Sequence, residues 1–539
     1  MSTQLDTQPS MVGNADEIYG LALSYLKKGK PKEEALQDAK ELRNSLFKKN
    51  NIFVMDKGVE CEIDRAYKSK KSTPPSPITE PDVTSLDLSD QGLTDAYLAT
   101  KPLLKYSTDE RCWVGYSNGL WFAKETPTHE IGSVLRKLEP ADLPDKLAAR
   151  IHRHLNSKAA VAAVTFFAEA RPELGITASE FDPDPMLLGL PDGEVLDLKT
   201  GERRAAKPED LITRALPVAP KGTCPRWLQY LEQAHPNDPE LISYLQRWAG
   251  YCLTASTQED MILFLIGVGG SGKGTFAEPL QKLLGDYCVS IPIGMLLEST
   301  SEDRRLNYIA NLRGARLAIC NEGSKMQRLD SRGIKLLTGG GWLTGRRLMH
   351  QPFNFKATHK IVVLANDNPV LELDDAMKQR VHVVPFNQKF RDTDREQKGL
   401  REIFCEPENL QGIFAWMVDG CLAYQKEGLR PPASVTATTE QYFKDADLFE
   451  QFLQDETEEA KGTDVFLPTE AGFRRYAAWS ERQGYSKLIV GTATTFVACL
   501  KQKRPHLTFG RTKIGCERVR GFAGIRLLMK QAEFGEREL

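Results

Sequence analysis

Apolar and polar positions along this chain change rhythm several times, and each change marks a new kind of element. Residues 15–48 repeat apolar positions at helical spacing and break at Gly29-Lys30-Pro31, which predicts two antiparallel helices, Asp16–Lys28 and Lys32–Lys48. Residues 69–90 are rich in Ser, Pro and Asp and read as a linker. Trp113 and Trp121 flank a turn at Ser117-Asn118-Gly119, as in a hairpin, and Leu138–Ala170 is helical in spacing. Phe181–Pro220 reads as short strands around the turn pairs Asp192-Gly193 and Thr200-Gly201. Residues 224–254 return to helix, with Pro225 near the first turn.

From 258 to 392 the pattern becomes that of a parallel sheet. Met261–Ile266 is continuously apolar and ends at Gly267, as a strand buried on both faces does. Shorter apolar runs follow at Leu317–Cys320, Ile361–Ala365 and Val381–Pro385, separated mostly by helical stretches. Residues 393–444 read as helical. The last stretch predicts two helices, one around Thr492–Gln502, and short strands at Leu507–Gly510, Arg518–Phe522 and Ile525–Met529.

These shifts divide the chain into a small helical module (1–68), a linker (69–90), an α+β and helical domain (91–257), a sheet core (258–392), a helical segment (393–445) and a C-terminal module (446–539). Composition agrees with a multidomain globular protein: 539 residues, of which 41% are hydrophobic and 27% charged. The net charge of −2 gives no global basic field, so any nucleic acid must be met locally. The longest charge-free apolar run is too short for a membrane span, and the polar amino terminus lacks signal-peptide regions. Ten cysteines include no C-x-x-C pair, against zinc ribbons and disulfide frameworks. The expectation is a reduced, cytoplasmic protein that contacts no membrane.

Behind the strand at 261–266 comes Gly267-Val268-Gly269-Gly270-Ser271-Gly272-Lys273-Gly274-Thr275, then an amphipathic helix to Leu284. Strand, glycine loop, lysine and helix is the context of a phosphate loop. Its backbone N–H groups converge on a β-phosphate, the helix N-terminus adds positive potential, and Lys273 reaches the β/γ oxygens. Gly274 stands where Ser or Thr ordinarily holds Mg²⁺, with Thr275 one position late. Either Thr275 reaches the metal through a shifted loop or water takes the place.

Forty-nine residues on, Arg316–Glu322 is an apolar strand ending in a carboxylate. Glu322 is the candidate base or water-orienting acid and, with Thr275, the candidate metal ligand. His359–Asn366 is a further buried strand, whose terminal amide, Asn366, can polarise the attacking water or touch the γ-phosphate. Arg380, expected at the start of the fourth strand, offers a guanidinium to the transferring phosphoryl group, in cis or from a neighbouring subunit.

The chain resembles the phage and plasmid primase-helicases of helicase superfamily 3, ring-forming AAA+ ATPases. Besides the loop, the resemblance is carried by Phe181–Pro185, Asp192–Glu202, Asp210–Arg214, Cys224–Trp227, Leu245–Leu253, Leu336–Gly341, Arg346-Arg347, Leu364–Asn366 and Arg380–Phe386, and covers about 90–530. It implies an α/β multidomain fold: an AAA+ P-loop core with a parallel sheet, an N-terminal α+β domain and a C-terminal winged helix. Lys273 becomes the Walker A lysine, Glu322 the Walker B acid, Asn366 the sensor and Arg380 the arginine finger. The chain departs from the family at Gly274, at Asn321 in place of a first acid, and at Gln379 where an arginine is common. ATP and Mg²⁺ are the implied cofactors.

Residues 339–356 suggest a β-hairpin with Arg346, Arg347, His350 and Lys356 exposed. In the family this hairpin grips single-stranded DNA in the pore. In the C-terminal module, 445–486 hold ten acids and four bases, whereas 487–530 hold ten bases against Glu517. The near-neutral total thus conceals a basic surface, with Lys501, Lys503, Arg504, Arg511 and Lys513 as candidate DNA contacts. Relatives carry a primase domain upstream; the roughly 90 residues before the match lack its acids and histidine, so no primer synthesis is expected.

The favoured expectation is ATP-dependent translocation on single-stranded and forked DNA by a homohexamer, 3′ to 5′ by resemblance. Its setting is replication of a phage, plasmid or integrated mobile element in a bacterial cytoplasm, alongside a separate primase or replication protein. Three alternatives stay open: an origin-binding initiator that remodels without processive unwinding, a small-molecule P-loop kinase, and a DNA-binding module whose ATPase has decayed.

Overall fold

The computed structural model describes residues 87–138, 145–298, 300–321, 328–371, 374–460, 465–483, 490–514 and 517–528. The expected helices at 16–28 and 32–48, linker residues 69–86 and Glu322 lie outside the described residues. The chain divides into two compact units that interleave in sequence, 1–103 with 126–174 and 104–125 with 175–539. Together they make a mixed α/β, multidomain protein with a parallel sheet. Among the described residues no helix is long and apolar enough to cross a membrane.

Where described, the first unit is helical, with Asp90–Ala99, Thr128–Lys137, Asp145–Leu155 and Lys158–Glu169. The single helical stretch expected over Leu138–Ala170 is interrupted at Ser157. Its hydroxyl accepts from the Ala160 N–H at 3.1 Å and caps a new helix, so the chain restarts there.

In the second unit Cys112–Ser117 and Leu120–Lys124 form the expected hairpin, with Asn118 and Gly119 at φ 48° and 80° as a two-residue I′ turn requires. The centre is a five-stranded parallel sheet of β1 (Ile262–Ile266), β2 (Cys288–Pro292), β3 (Leu317–Asn321), β4 (Lys360–Ala365) and β5 (Val381–Pro385), in the order β5-β1-β4-β3-β2. Alternation sends Leu263 and Leu265 into one core with Trp227, Phe276 and Phe414, and Ile262 and Phe264 into another with Ile334, Leu337 and Tyr442. Both faces are covered, which is why β1 reads as an unbroken apolar run. The sequence pattern did not announce β2: it lies at the sheet edge with only Ile291 fully buried, so Ser290 and Pro292 are tolerated.

Two local expectations are corrected. Arg380 closes the helix Asp375–Arg380 rather than opening a strand, because Asp374 caps that helix through the Met377 N–H at 2.8 Å. The helical reading of 393–444 holds only from Leu400 onward, with helices Leu400–Phe404, Pro407–Glu427 and Ala433–Ala446; before that, residues 386–399 run without regular structure beside the glycine loop.

The C-terminal module orders as helix Leu448–Glu456, strand Phe466–Pro468, helices Thr469–Arg482 and Ala493–Lys503, and strands Thr508–Ile514 and Glu517–Ala523. Glu517–Ala523 lies between Phe466–Pro468 and Thr508–Ile514, and the expected final strand, Ile525–Leu527, pairs with Thr457–Glu459. Its own core is built on Phe452, Trp479, Phe496 and Phe522.

Candidate active site

Parallel strands deliver every loop that follows them to one edge of the sheet, and ligand sites of open α/β sheets gather at that carboxyl edge. Ile266 of β1 pairs with Ala365 of β4, so Gly267–Gly272 and Asn366 emerge side by side. Gly267 has no room for a side chain, since a Cβ there would come within 2.2 Å of the Phe386 carbonyl oxygen. Gly272 adopts φ +100° and caps the helix Lys273–Leu284, a conformation that excludes other residues. The loop therefore ends with free backbone N–H groups at a helix amino terminus, the arrangement that binds anions.

Lys273 is the best-connected side chain of the site. It is 8% exposed, and its ammonium donates to the Gly267 carbonyl, to the Val268 carbonyl at 3.2 Å, to Ser271 Oγ at 3.3 Å and to Asn366 Oδ1 at 3.1 Å. Burial lowers its pKa from the ordinary lysine value. Among the described residues no carboxylate pairs with it. A buried ammonium held only by neutral oxygens is a strong attractor for an anion.

Three supports of the loop carried no sequence signal. Tyr230, fully buried, donates its hydroxyl to the Gly272 carbonyl at 2.9 Å, and neighbouring Trp227 stacks on Phe276 of the following helix. The Phe390 and Arg391 N–H groups donate to the Gly270 carbonyl at 3.0 and 3.3 Å, which fastens residues 386–391 along the loop. Arg401 reaches the first turn of the Lys273–Leu284 helix and pairs with Glu278 at 2.6 Å. Only their distance in sequence concealed these contacts.

Of the two expected metal ligands, only Thr275 is among the described residues. Gly274 offers no hydroxyl, and a Cβ at that position would lie 2.7 Å from Nη2 of Arg401, so a cation occupies the place of the metal-binding side chain. Thr275 follows one position later with partial exposure, and Glu322 lies outside the described residues. Among the described residues no cluster of three His, Cys, Asp or Glu could hold a metal ion. Of the expected pair, the described residues retain Thr275, whose hydroxyl would hold a Mg²⁺ together with water and phosphate oxygens.

Arg380 sits at the opposite edge of the sheet. Val381 pairs with Ile262 at the start of β1, while the glycine loop follows Ile266 at its end. Five residues of strand at about 3.3 Å each separate the two edges by roughly 15 Å. Arg380 is held there by Asp260 at 3.1 Å and by the Ala376 carbonyl at 3.1 Å.

Residues 91–236 match the family described as D5 N terminal like, and 265–380 match a family of unknown function. Over 296 residues, 51% of this chain and 31% of the relative, the sequence is 27% identical to a candidate helicase of Acanthamoeba polyphaga mimivirus. The corresponding figures for a candidate helicase of Frog virus 3 (isolate Goorha) are 24% over 298 residues, 52% of this chain and 30% of that one. The chain is thus similar to phage-type primase-helicase-like proteins. The chain spans about a third of the length of these curated relatives. A solved structure of the NrS-1 C-terminal region in apo form covers 80% of this chain and 98% of its own, at 12% identity and a TM-score of 0.43.

Two basic surfaces lie away from the loop. Trp342–Gly345 pairs with Phe353–Lys356 in the expected hairpin. Arg346, Arg347 and His350 sit in its tip beside Leu348 and Met349, 79% and 96% exposed, while Lys356 is at its base opposite Trp342. Arg346 pairs with Asp303 at 2.5 Å, and Arg347 lies over the Phe353 ring.

The second surface differs from the sequence reading. Lys503 pairs with Asp447, and Arg504 pairs with Glu450 at 2.7 Å and Glu459 at 2.5 Å, so both are engaged inside the module. Lys501 lies over the Phe509 ring at 4.4 Å. On the strand pair, by contrast, Arg511 faces Arg520 and Lys513 faces Arg518 across the register. All four are exposed and lie on one face of the ribbon, and among the described residues none is in an ion pair. Like charges directly opposite are unfavourable in isolation and become favourable beside a polyanion.

Proposed function

We propose that this chain is the motor portion of an ATP-driven DNA helicase of superfamily 3, with an AAA+ P-loop core at 258–392 and a winged helix at 446–539. ATP binds at Gly267–Thr275, with Lys273 on its β/γ oxygens and Asn366 beside the γ-phosphate. Glu322 is the proposed base. Thr275 and Glu322 are the remaining candidates for contact with any Mg²⁺ that accompanies the nucleotide. Single-stranded DNA runs past Arg346, Arg347, His350 and Lys356, and duplex or forked DNA lies along Arg511 and Lys513. Lys501 flanks that ribbon, while Lys503 and Arg504 support it from within. The proposed assembly is a hexamer translocating 3′ to 5′ in mobile-element replication.

The observation that carries this reading is the separation of the two halves of the site. Lys273 and Asn366 meet at one edge of the sheet, and Arg380 stands at the other. A guanidinium roughly 15 Å from its own loop can serve a nucleotide only in an adjacent subunit, which supports a ring. The test is ATP hydrolysis by the purified chain with and without single-stranded DNA, beside particle mass with a non-hydrolysable ATP analogue. DNA-stimulated turnover by a six-fold particle is expected; a monomer hydrolysing ATP at full rate contradicts the reading.

A further inference from the structure

Gly274 departs from the phosphate-loop pattern, and its surroundings give the departure a purpose. It is the second residue of the helix Lys273–Leu284, and its backbone aims a would-be Cβ directly at Arg401, 2.7 Å from Nη2, 2.9 Å from Cζ and 3.2 Å from Nη1. A Ser or Thr there would collide with the guanidinium. Arg401 is the second residue of the short helix Leu400–Phe404, more than a hundred residues away in sequence, and its only described ion pair is with Glu278, one helical turn beyond Gly274. The two side chains are 43% and 45% exposed, so the pair is weakly held and exchangeable.

We propose that Arg401 is a phosphate-binding residue of its own subunit, and that Gly274 is the space that admits it. This rests on the phosphate-loop reading above. Where the usual motif holds a hydroxyl and a metal ion, this loop holds a planar cation with N–H donors suited to phosphate oxygens. On nucleotide binding the guanidinium leaves Glu278 for the β-phosphate, and Glu278 acts as its resting partner. Protein-held positive charge then does part of what a divalent cation does elsewhere, so nucleotide affinity depends little on Mg²⁺.

The experiment is binding of N-methylanthraniloyl-ADP to the full chain in Mg²⁺ and in excess EDTA, with melting temperature measured alongside. Wild-type affinity should fall less than about tenfold on metal removal. Arg401→Ala should lose about 10- to 100-fold in EDTA, the worth of a charge-assisted contact, and clearly less in Mg²⁺. Arg401→Lys should recover part of that loss. Gly274→Ser, which displaces only the flexible end of Arg401, should make binding metal-dependent. Unchanged affinity of Arg401→Ala in EDTA, or an equal loss in both conditions with a lowered melting temperature, overturns the proposal and leaves the phosphate loop intact. A wild-type chain that binds no nucleotide in either condition overturns the phosphate-loop reading itself.

Discussion

Lys273 donates to Asn366 at 3.1 Å across the ends of two neighbouring strands. The contact joins the lysine of the glycine loop to the residue that follows β4, 93 positions away. Because β1 and β4 are adjacent and in register at Ile266 and Ala365, neither residue needs a long reach.

From that geometry Lys273→Ala should lose nucleotide binding and hydrolysis while keeping its melting temperature, since the change removes a buried charge that no described carboxylate neutralises. Asn366→Ala should bind nucleotide and hydrolyse it more slowly, by about 10²-fold, as expected for loss of a contact made mainly in the transition state. Equal loss of affinity in both variants would remove the distinction between binding lysine and sensor amide.

The C-terminal module separates structural cations from free ones. Arg511→Ala and Lys513→Ala should each reduce the salt dependence of DNA binding by about one unit of slope without changing stability. Arg504→Ala should instead destabilise the module by roughly 1–2 kcal/mol, because Glu450 and Glu459 lose a shared partner. Salt titrations of binding and denaturant melts of the same variants measure the two effects separately.

Those pairings also mark how far the sequence could be read. The buried strands, the glycine loop and the Asn118-Gly119 turn each have a local pattern, and each formed where expected. Arg504 and Glu459 lie 45 positions apart, and Arg401 and Glu278 lie 123 apart. Counting charges along a chain reveals an excess but not which ones meet. The edge strand β2 failed for a related reason: an element that buries one face weakly imposes little on its residues.

His235 supplies a pH dependence. It is 4% exposed against the Phe386 ring, its Nε2 has no hydrogen-bond partner among the described residues, and burial lowers its pKa from 6.5 to about 4 despite the opposing pull of Asp238. The folded state thus keeps it neutral while the unfolded chain takes up a proton below 6.5. Its contribution is full above pH 6.5 and is lost as the pH falls towards 4, by up to about 3 kcal/mol. His359 and His382, also lowered to about 4, add in the same window. His235→Phe should therefore flatten, without abolishing, the fall in denaturant stability between those pH values. An unaltered slope in that variant would refute the assignment.

Arg380 decides whether the site is completed by a neighbour. Its guanidinium is held by Asp260 at the edge of the sheet opposite the loop, so Arg380→Ala should bind nucleotide normally and hydrolyse it on the order of 10³-fold more slowly. Mixing Arg380→Ala with Lys273→Ala chains should then restore part of the activity. Each defect lies at a different edge, and some interfaces in mixed assemblies unite an intact loop with an intact arginine. An arginine acting within its own subunit permits no such rescue, because every chain would lack either its lysine or its guanidinium. Asp260→Asn adds a control: it frees Arg380 without removing it, so hydrolysis should persist. Mixed assemblies of full size that recover no activity would overturn the neighbouring-subunit role and, with it, the strongest argument for a ring.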